Sequence, residues 1–143
     1  MTVPQTARDA LLLVGRVMLG VVLIAHGWQK LAQYGIAGTA AAFEKTGVPL
    51  SAVSAVYAAV VELVGGLALL VGVGTAVAAA LVVLDMLGAF VLVHITNGVF
   101  VQNNGFELVW VIAGAALMFI AVGPGRFSVD HFLLGRRRAG VRV

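Results

Sequence analysis

Four long apolar runs dominate the chain, near residues 10–32, 51–72, 74–96 and 106–123. Each is long enough for a helix that crosses a hydrocarbon core about 30 Å thick, which takes roughly 20 residues. The apolar residues do not alternate with polar ones, as they would in the strands of a membrane β-barrel. Because lipid offers no partners for backbone polar groups, these runs must be helices. The pattern predicts an all-α integral membrane protein, a bundle of four transmembrane helices.

The connections between the runs leave no room for a second domain, so residues 1–143 are predicted to form a single transmembrane domain. "VGVGT" predicts a tight hairpin between the second and third spans, because glycine permits a sharp reversal. The longer first connection has an alanine-rich middle that predicts a short surface helix. After the fourth span, "GPG" ends the helix, and "RFSVDHFLLGRRR" predicts a short C-terminal interfacial helix capped by Ser128.

Composition supports the membrane assignment and excludes several kinds of chemistry. Apolar residues make up 62% of the chain and charged residues 10%, whereas soluble domains have about 45–50% and about 25%. The chain contains no cysteine, which excludes disulfides, thiolate catalysis and iron–sulfur ligation through its own thiols. Four spans also leave no soluble domain large enough to hold its own cofactor.

Basic residues predict the orientation, since the loops that remain in the cytoplasm carry more lysine and arginine. The terminal side has six arginines, and the other side has only Lys30 and Lys45. The six are Arg8, Arg126, Arg136, Arg137, Arg138 and Arg142. We therefore expect a multi-pass protein of the plasma (inner) membrane with both termini in the cytoplasm. The net charge of +3 fits a topology anchor or a contact with anionic lipid better than nucleic acid.

Three charged residues lie within the apolar runs: Arg16, Glu62 and Asp85. At 100° per residue, each lies on a strip of glycine and alanine, the kind of face along which membrane helices pack. We therefore expect an intramembrane polar cluster in which Arg16 pairs with an acid, first of all Glu62. Two acids facing one arginine favour a carboxyl that can hold a proton, as quinone chemistry or proton coupling would use. The alternative is that the charges only fix the register of the bundle.

A second polar group is predicted at the outer side, an outer polar mouth. It consists of His26, Lys30, His94, Asn104 and Glu107. Asn104 and Glu107 also fit an N-cap with its reciprocal acidic partner. Haem is unlikely to be bound, because His26 and His94 differ in depth by about a turn. No metal site is predicted, because no two potential ligands are closely spaced as in zinc motifs.

These residues give the chain a resemblance to the DoxX family of small four-helix membrane proteins, over nearly its whole length. The matching pieces are "GRVMLGVVLIAHGWQKL", "ELVGGLALLVGVGT", "HITNGVF", "NNGFELVWV" and "GPGRFSVD". The family's recurrent residues correspond to Arg16, Gly27, Lys30, Glu62, Gly65, His94, Asn104, Glu107, Gly123, Gly125, Ser128 and Asp130. Asp85 is not part of that pattern.

The resemblance implies a redox-associated membrane subunit, since the family takes its name from a subunit of an archaeal thiosulfate:quinone oxidoreductase. It is compatible with a quinone-like lipid bound between the helices, although the residues name no cofactor. It implies protein partners in a membrane complex and catalysis, if any, that depends on those partners. A homo-oligomer is compatible with so small a bundle. Two other functions stay open: a non-catalytic scaffold subunit, and a small proton-coupled exporter.

Overall fold

The computed structural model of the protein describes residues 3–133, and this part of the chain is helical with no β-strand. The helices are α1 (Gln5–Gln33), α2 (Gly35–Lys45), α3 (Ser51–Val71), α4 (Thr75–Asn97) and α5 (Glu107–Val122). The start of α1, the α3–α4 hairpin and residues 123–130 form one end of the bundle, the hairpin end. α2 and residues 98–106 form the opposite end, the loop end.

The four predicted spans correspond to α1, α3, α4 and α5. The first three contain 29, 21 and 23 residues and are long and apolar enough to cross a membrane. α5 is apolar but has only 16 residues, which gives it a length of about 24 Å. The all-helical, membrane-spanning fold is thus confirmed for three spans, and the fourth crossing stays a prediction.

The predicted C-terminal interfacial helix is described only at its start. Residues 129–133 are helical, and the Ser128 hydroxyl oxygen accepts a hydrogen bond from the N–H of His131 at 3.2 Å. This is the contact of an N-cap serine. The rest of the predicted helix, including the arginine-rich tail, lies outside the described residues.

Glycines bring α1 and α3 into direct backbone contact. A Cβ added to Gly27 would lie 2.5 Å from the backbone nitrogen of Leu63, and one added to Gly20 would lie 2.8 Å from the Gly66 carbonyl oxygen. No side chain fits at such distances, so glycine is required for this approach. Small residues are the usual means by which membrane helices pack closely without a hydrophobic driving force.

The three longest helices each contain one π-helical turn in the described part of the chain. These turns are Gln29–Gln33 in α1, Val61–Gly65 in α3 and Phe90–His94 in α4. A π-helical turn adds a residue to the helix and changes the direction of the side chains around it, and such turns are frequent at functional sites. Each turn contains one residue of the two predicted polar groups: Lys30, Glu62 or His94.

Residues 123–130 close the hairpin end. The Asp130 carboxylate accepts hydrogen bonds from the backbone N–H groups of Gly74 at 2.7 Å and Thr75 at 2.9 Å, and so caps the start of α4. The buried Asp9 carboxylate of α1 accepts the backbone N–H of Arg126 at 3.1 Å. Two carboxylates therefore fix this segment to α1 and to the α3–α4 hairpin.

Candidate functional site

A cavity of about 510 Å³ lies between the helices in the half of the bundle nearer the loop end. Its walls are mostly apolar and come from α1, α3, α4 and α5, with Phe43 of α2 and Val48 also contributing. The polar or ionisable lining residues are His26, Lys30, Ser54, Tyr57, Glu62, Asp85, His94 and Asn104. This combination of apolar walls and a few polar groups is typical of small-molecule sites, which usually measure about 300–1,000 Å³.

An ion pair between Lys30 and Glu62 crosses the cavity wall from α1 to α3. Lys30 Nζ lies 2.6 Å from Glu62 Oε2, and the two side chains are 17% and 6% exposed. α2 holds the lysine backbone in place, because the buried Thr39 hydroxyl donates a hydrogen bond to the Lys30 carbonyl oxygen at 3.1 Å. The pair compensates both charges, which a membrane interior requires.

Asp85 is the second acid in the cavity, and it is only 7% exposed. Its Oδ2 atom is buried and has no hydrogen-bond partner among the described residues. An unpaired buried polar atom costs about 1–3 kcal/mol, and more when it is charged. Such an atom therefore calls for an explanation, and a bound molecule is one of the usual ones.

The two histidines have defined hydrogen-bonding roles. His26 Nδ1 lies 2.9 Å from the carbonyl oxygen of Val22, and His94 Nδ1 lies 2.7 Å from that of Asn104. A carbonyl oxygen only accepts, so each Nδ1 carries the hydrogen. In the neutral ring this leaves Nε2 as an acceptor.

Arg16 lies elsewhere, and the expected Arg16–Glu62 pair is wrong. The fully buried Arg16 is at the hairpin end, where Nη1 donates to the Leu69 carbonyl oxygen at 3.4 Å and Nη2 donates to that of Phe127. Gly72 leaves the space that the guanidinium occupies. The angular analysis placed Arg16 on a face that packs against neighbouring helices but could not give its partner, because Lys30, near the other end of α1, pairs with Glu62.

The expected N-cap of α5 is also wrong. Phe106 occupies the N-cap position, and no side chain caps the helix. Glu107 Oε1 instead accepts the backbone N–H of Val101 at 2.7 Å and stabilises the loop before α5. Asn104 adopts a left-handed conformation with φ of 61°, which places its carbonyl oxygen against His94. Glu107 therefore does not line the cavity.

The two predicted polar groups thus form one site, without Arg16 and Glu107. The candidate site residues predicted from the sequence did not include Tyr57, whose hydroxyl donates to the Leu81 carbonyl oxygen of α4 at 3.5 Å. Tyr57 and Glu62 are five residues apart, about 140° around a regular α-helix, so the face analysis separated them. Among the described residues, no group of three or more His, Asp or Glu side chains could hold a metal ion.

The fold and site define a small helical membrane protein with a polar-lined internal cavity. The DoxX family model matches residues 11–95, and the chain belongs to the DoxX family. This confirms the resemblance seen in the sequence motifs.

Three relatives are membrane proteins of similar length. The chain is 35% identical to an uncharacterized membrane protein of Mycobacterium tuberculosis, over 87% of this chain and 82% of the relative. It is 33% identical to the inner membrane protein YqjF of Escherichia coli, over 87% of this chain and 93% of the relative. It is 30% identical to the inner membrane protein YphA of the same organism, over 87% of this chain and 91% of the relative. No solved structure matches the chain significantly.

Proposed function

We propose that this protein is a quinone-binding subunit of an inner-membrane redox complex. The observation that carries the proposal is the unpaired, buried Asp85 Oδ2 in a mostly apolar cavity that also contains the Lys30–Glu62 ion pair. A quinone head group has a flat apolar ring with polar oxygens on it, so it needs apolar walls and a few hydrogen-bonding groups. The cavity supplies both.

Access from the bilayer supports a lipid-soluble ligand. Three lining side chains are also exposed on the outside of the bundle: Tyr57 at 41%, Leu84 at 61% and Leu92 at 42%. Tyr57 belongs to α3 and the two leucines to α4, and in a membrane these side chains face lipid. The α3–α4 side of the cavity is therefore the route by which a hydrophobic molecule would enter from the bilayer.

The cavity residues would act on the head group by hydrogen bonding. A quinone, when bound, supplies two-electron, two-proton redox chemistry. Lys30 keeps N–H donors beyond the one that Glu62 uses, and these can bind a head-group oxygen. The ionised Asp85 carboxylate can accept a hydrogen bond, and then the proton, from a hydroxyl at the other head-group oxygen. The chain has no cysteine, so any thiol electron donor must lie outside this chain.

The proposal includes the topology of four spans with cytoplasmic termini. α5 is apolar after its first residue, Glu107, and packs along α4, and four crossings place both termini on the side rich in arginine. Reporter fusions at each terminus test this orientation. Cytoplasmic signals at both ends support it, and a periplasmic C-terminus contradicts it.

The scaffold function is the second candidate, and the position of the ion pair favours it. Lys30 and Glu62 join α1 to α3 beside the glycine contact of Gly27 with Leu63, so the charges could serve only to fix the packing. In that case the cavity would hold ordinary lipid, and the surface would recruit partners.

Purification in a mild detergent separates the two functions. Lipids extracted from the purified protein are measured for quinone relative to the bulk membrane extract. Enrichment in the wild type, lost in Asp85→Leu and retained in the exposed α2 variant Glu44→Gln, supports the quinone site. A stoichiometric protein partner with no quinone enrichment supports the scaffold.

A further inference from the structure

We infer that the cavity selects the reduced, hydroxyl-bearing form of its ligand, a hydroquinone head group, over the corresponding quinone. The inference rests on the proposed quinone site and adds its specificity. It comes from counting which polar groups of the lining still have hydrogen-bonding capacity.

The neutral donors of the lining are already used. The Tyr57 hydroxyl donates to the Leu81 carbonyl oxygen, and the Ser54 hydroxyl donates to that of Pro49 at 2.8 Å. Both histidine Nδ1–H groups donate to backbone carbonyls. The side-chain amide of Asn104 offers a donor and an acceptor alike, so it creates no preference. Lys30 is the donor that remains, and part of its capacity goes to Glu62.

The acceptors are in excess. Asp85 Oδ2 is buried without a partner among the described residues, and in the ionised carboxylate it accepts hydrogen bonds and donates none. The Nε2 atoms of His26 and His94 are acceptors in the neutral rings, because each Nδ1 carries the hydrogen. A quinone carbonyl only accepts and would leave these acceptors unpaired, whereas a hydroquinone hydroxyl donates to them. Sites built to bond a ligand hydroxyl discriminate strongly against the analogue that lacks it.

Binding of decylubiquinol and decylubiquinone to the detergent-purified protein tests the inference. Isothermal titration calorimetry under argon gives Kd for each form. We expect the quinol to bind at least about tenfold more tightly, the factor that one hydrogen bond of about 1.4 kcal/mol provides. In Asp85→Asn, whose amide presents an N–H donor at the same place, the preference should vanish or reverse. The loop variant Glu107→Gln should retain it.

The outcomes separate the inference from the proposal beneath it. Equal Kd values, or tighter binding of the quinone, overturn the preference and leave the quinone site standing. Binding of neither form overturns the proposed function itself. The wild-type ratio needs no variant, so the test holds even if Asp85→Asn does not fold.

Discussion

Lys30 Nζ on α1 lies 2.6 Å from Glu62 Oε2 on α3, and each residue belongs to a π-helical turn. The pair joins the two helices at the wall of the cavity. The ion pair therefore affects both the stability of the bundle and the electrostatic environment of a ligand in the cavity. The stability consequence can be measured without knowing the ligand.

A double-mutant cycle of Lys30→Met and Glu62→Gln measures the coupling of the pair. Each single variant leaves a charge without its partner, which typically costs about 3–5 kcal/mol for a buried pair, whereas removal of both can be nearly neutral. We expect the double variant to be more stable than the sum of the singles predicts, by chemical unfolding in detergent. Additive losses would mean that the pair contributes no coupling energy.

Arg16→Met should destabilise the hairpin end independently of that pair. The carbonyl oxygens of Leu69 and Phe127 lose their charged donor, and such hydrogen bonds contribute about 1.5–3 kcal/mol each. Arg16→Lys should recover little of the lost stability, because one ammonium group cannot reproduce the planar set of N–H donors of the guanidinium. Combined with Glu62→Gln, the loss from Arg16→Met should be additive. Strong coupling between these two would instead support a direct contact.

Gly27→Ala should separate α1 from α3. The added Cβ would lie 2.5 Å from the backbone nitrogen of Leu63. The backbone of a packed helix cannot move aside as the end of a flexible side chain can. We expect a loss of about 1–3 kcal/mol, as for other overpacked sites. Gly114→Ala on α5 is the matched control, since nothing lies within 4 Å of its added Cβ. Equal thermal unfolding temperatures for the two variants would contradict the tight α1–α3 contact.

Asp130 should make the hairpin end sensitive to acid. Burial alone would raise the pKa of its carboxyl, but the backbone N–H groups of Thr75 and Gly74, with the charge of Arg16, lower the pKa below its usual value. Since the pKa is lower in the folded state, the stabilisation is present above the unfolded value of about 3.9. It is lost as the pH falls from there through the folded-state pKa.

Unfolding temperatures of the wild type and Asp130→Asn between about pH 7 and pH 3 check this linkage. The wild type should be the more stable protein at neutral pH, and the difference should shrink below about pH 4. Glu44→Gln on the exposed face of α2 serves as the control. A difference that stays constant with pH would show that the carboxylate charge of Asp130 is not what stabilises the cap.

The helices could be predicted from the sequence because hydropathy alone decides them. The run predicted near 51–72 is the helix Ser51–Val71, and that near 74–96 is Thr75–Asn97. The contacts of the charged side chains could not be predicted as well. The angular position of a residue on its helix does not show how far its side chain extends along the bundle axis. The sequence analysis assigns Lys30 to the outer polar mouth and Glu62 to the intramembrane polar cluster, yet the two side chains are in contact. The π-helical turns, which hydropathy does not reveal, also shift the faces that a regular 3.6-residue period assigns.

Photoaffinity labelling with an azido-quinone in native membranes tests the central claim most directly, because it locates the ligand. After protease digestion, mass spectrometry identifies the labelled residues. The quinone site predicts labels on buried cavity-lining residues such as Ala58, Met86 and Ile112, abolished by excess unlabelled quinol and reduced in Asp85→Leu. Labels confined to the outward-facing residues of α5, such as Val111 and Met118, and unaffected by competitor would contradict it.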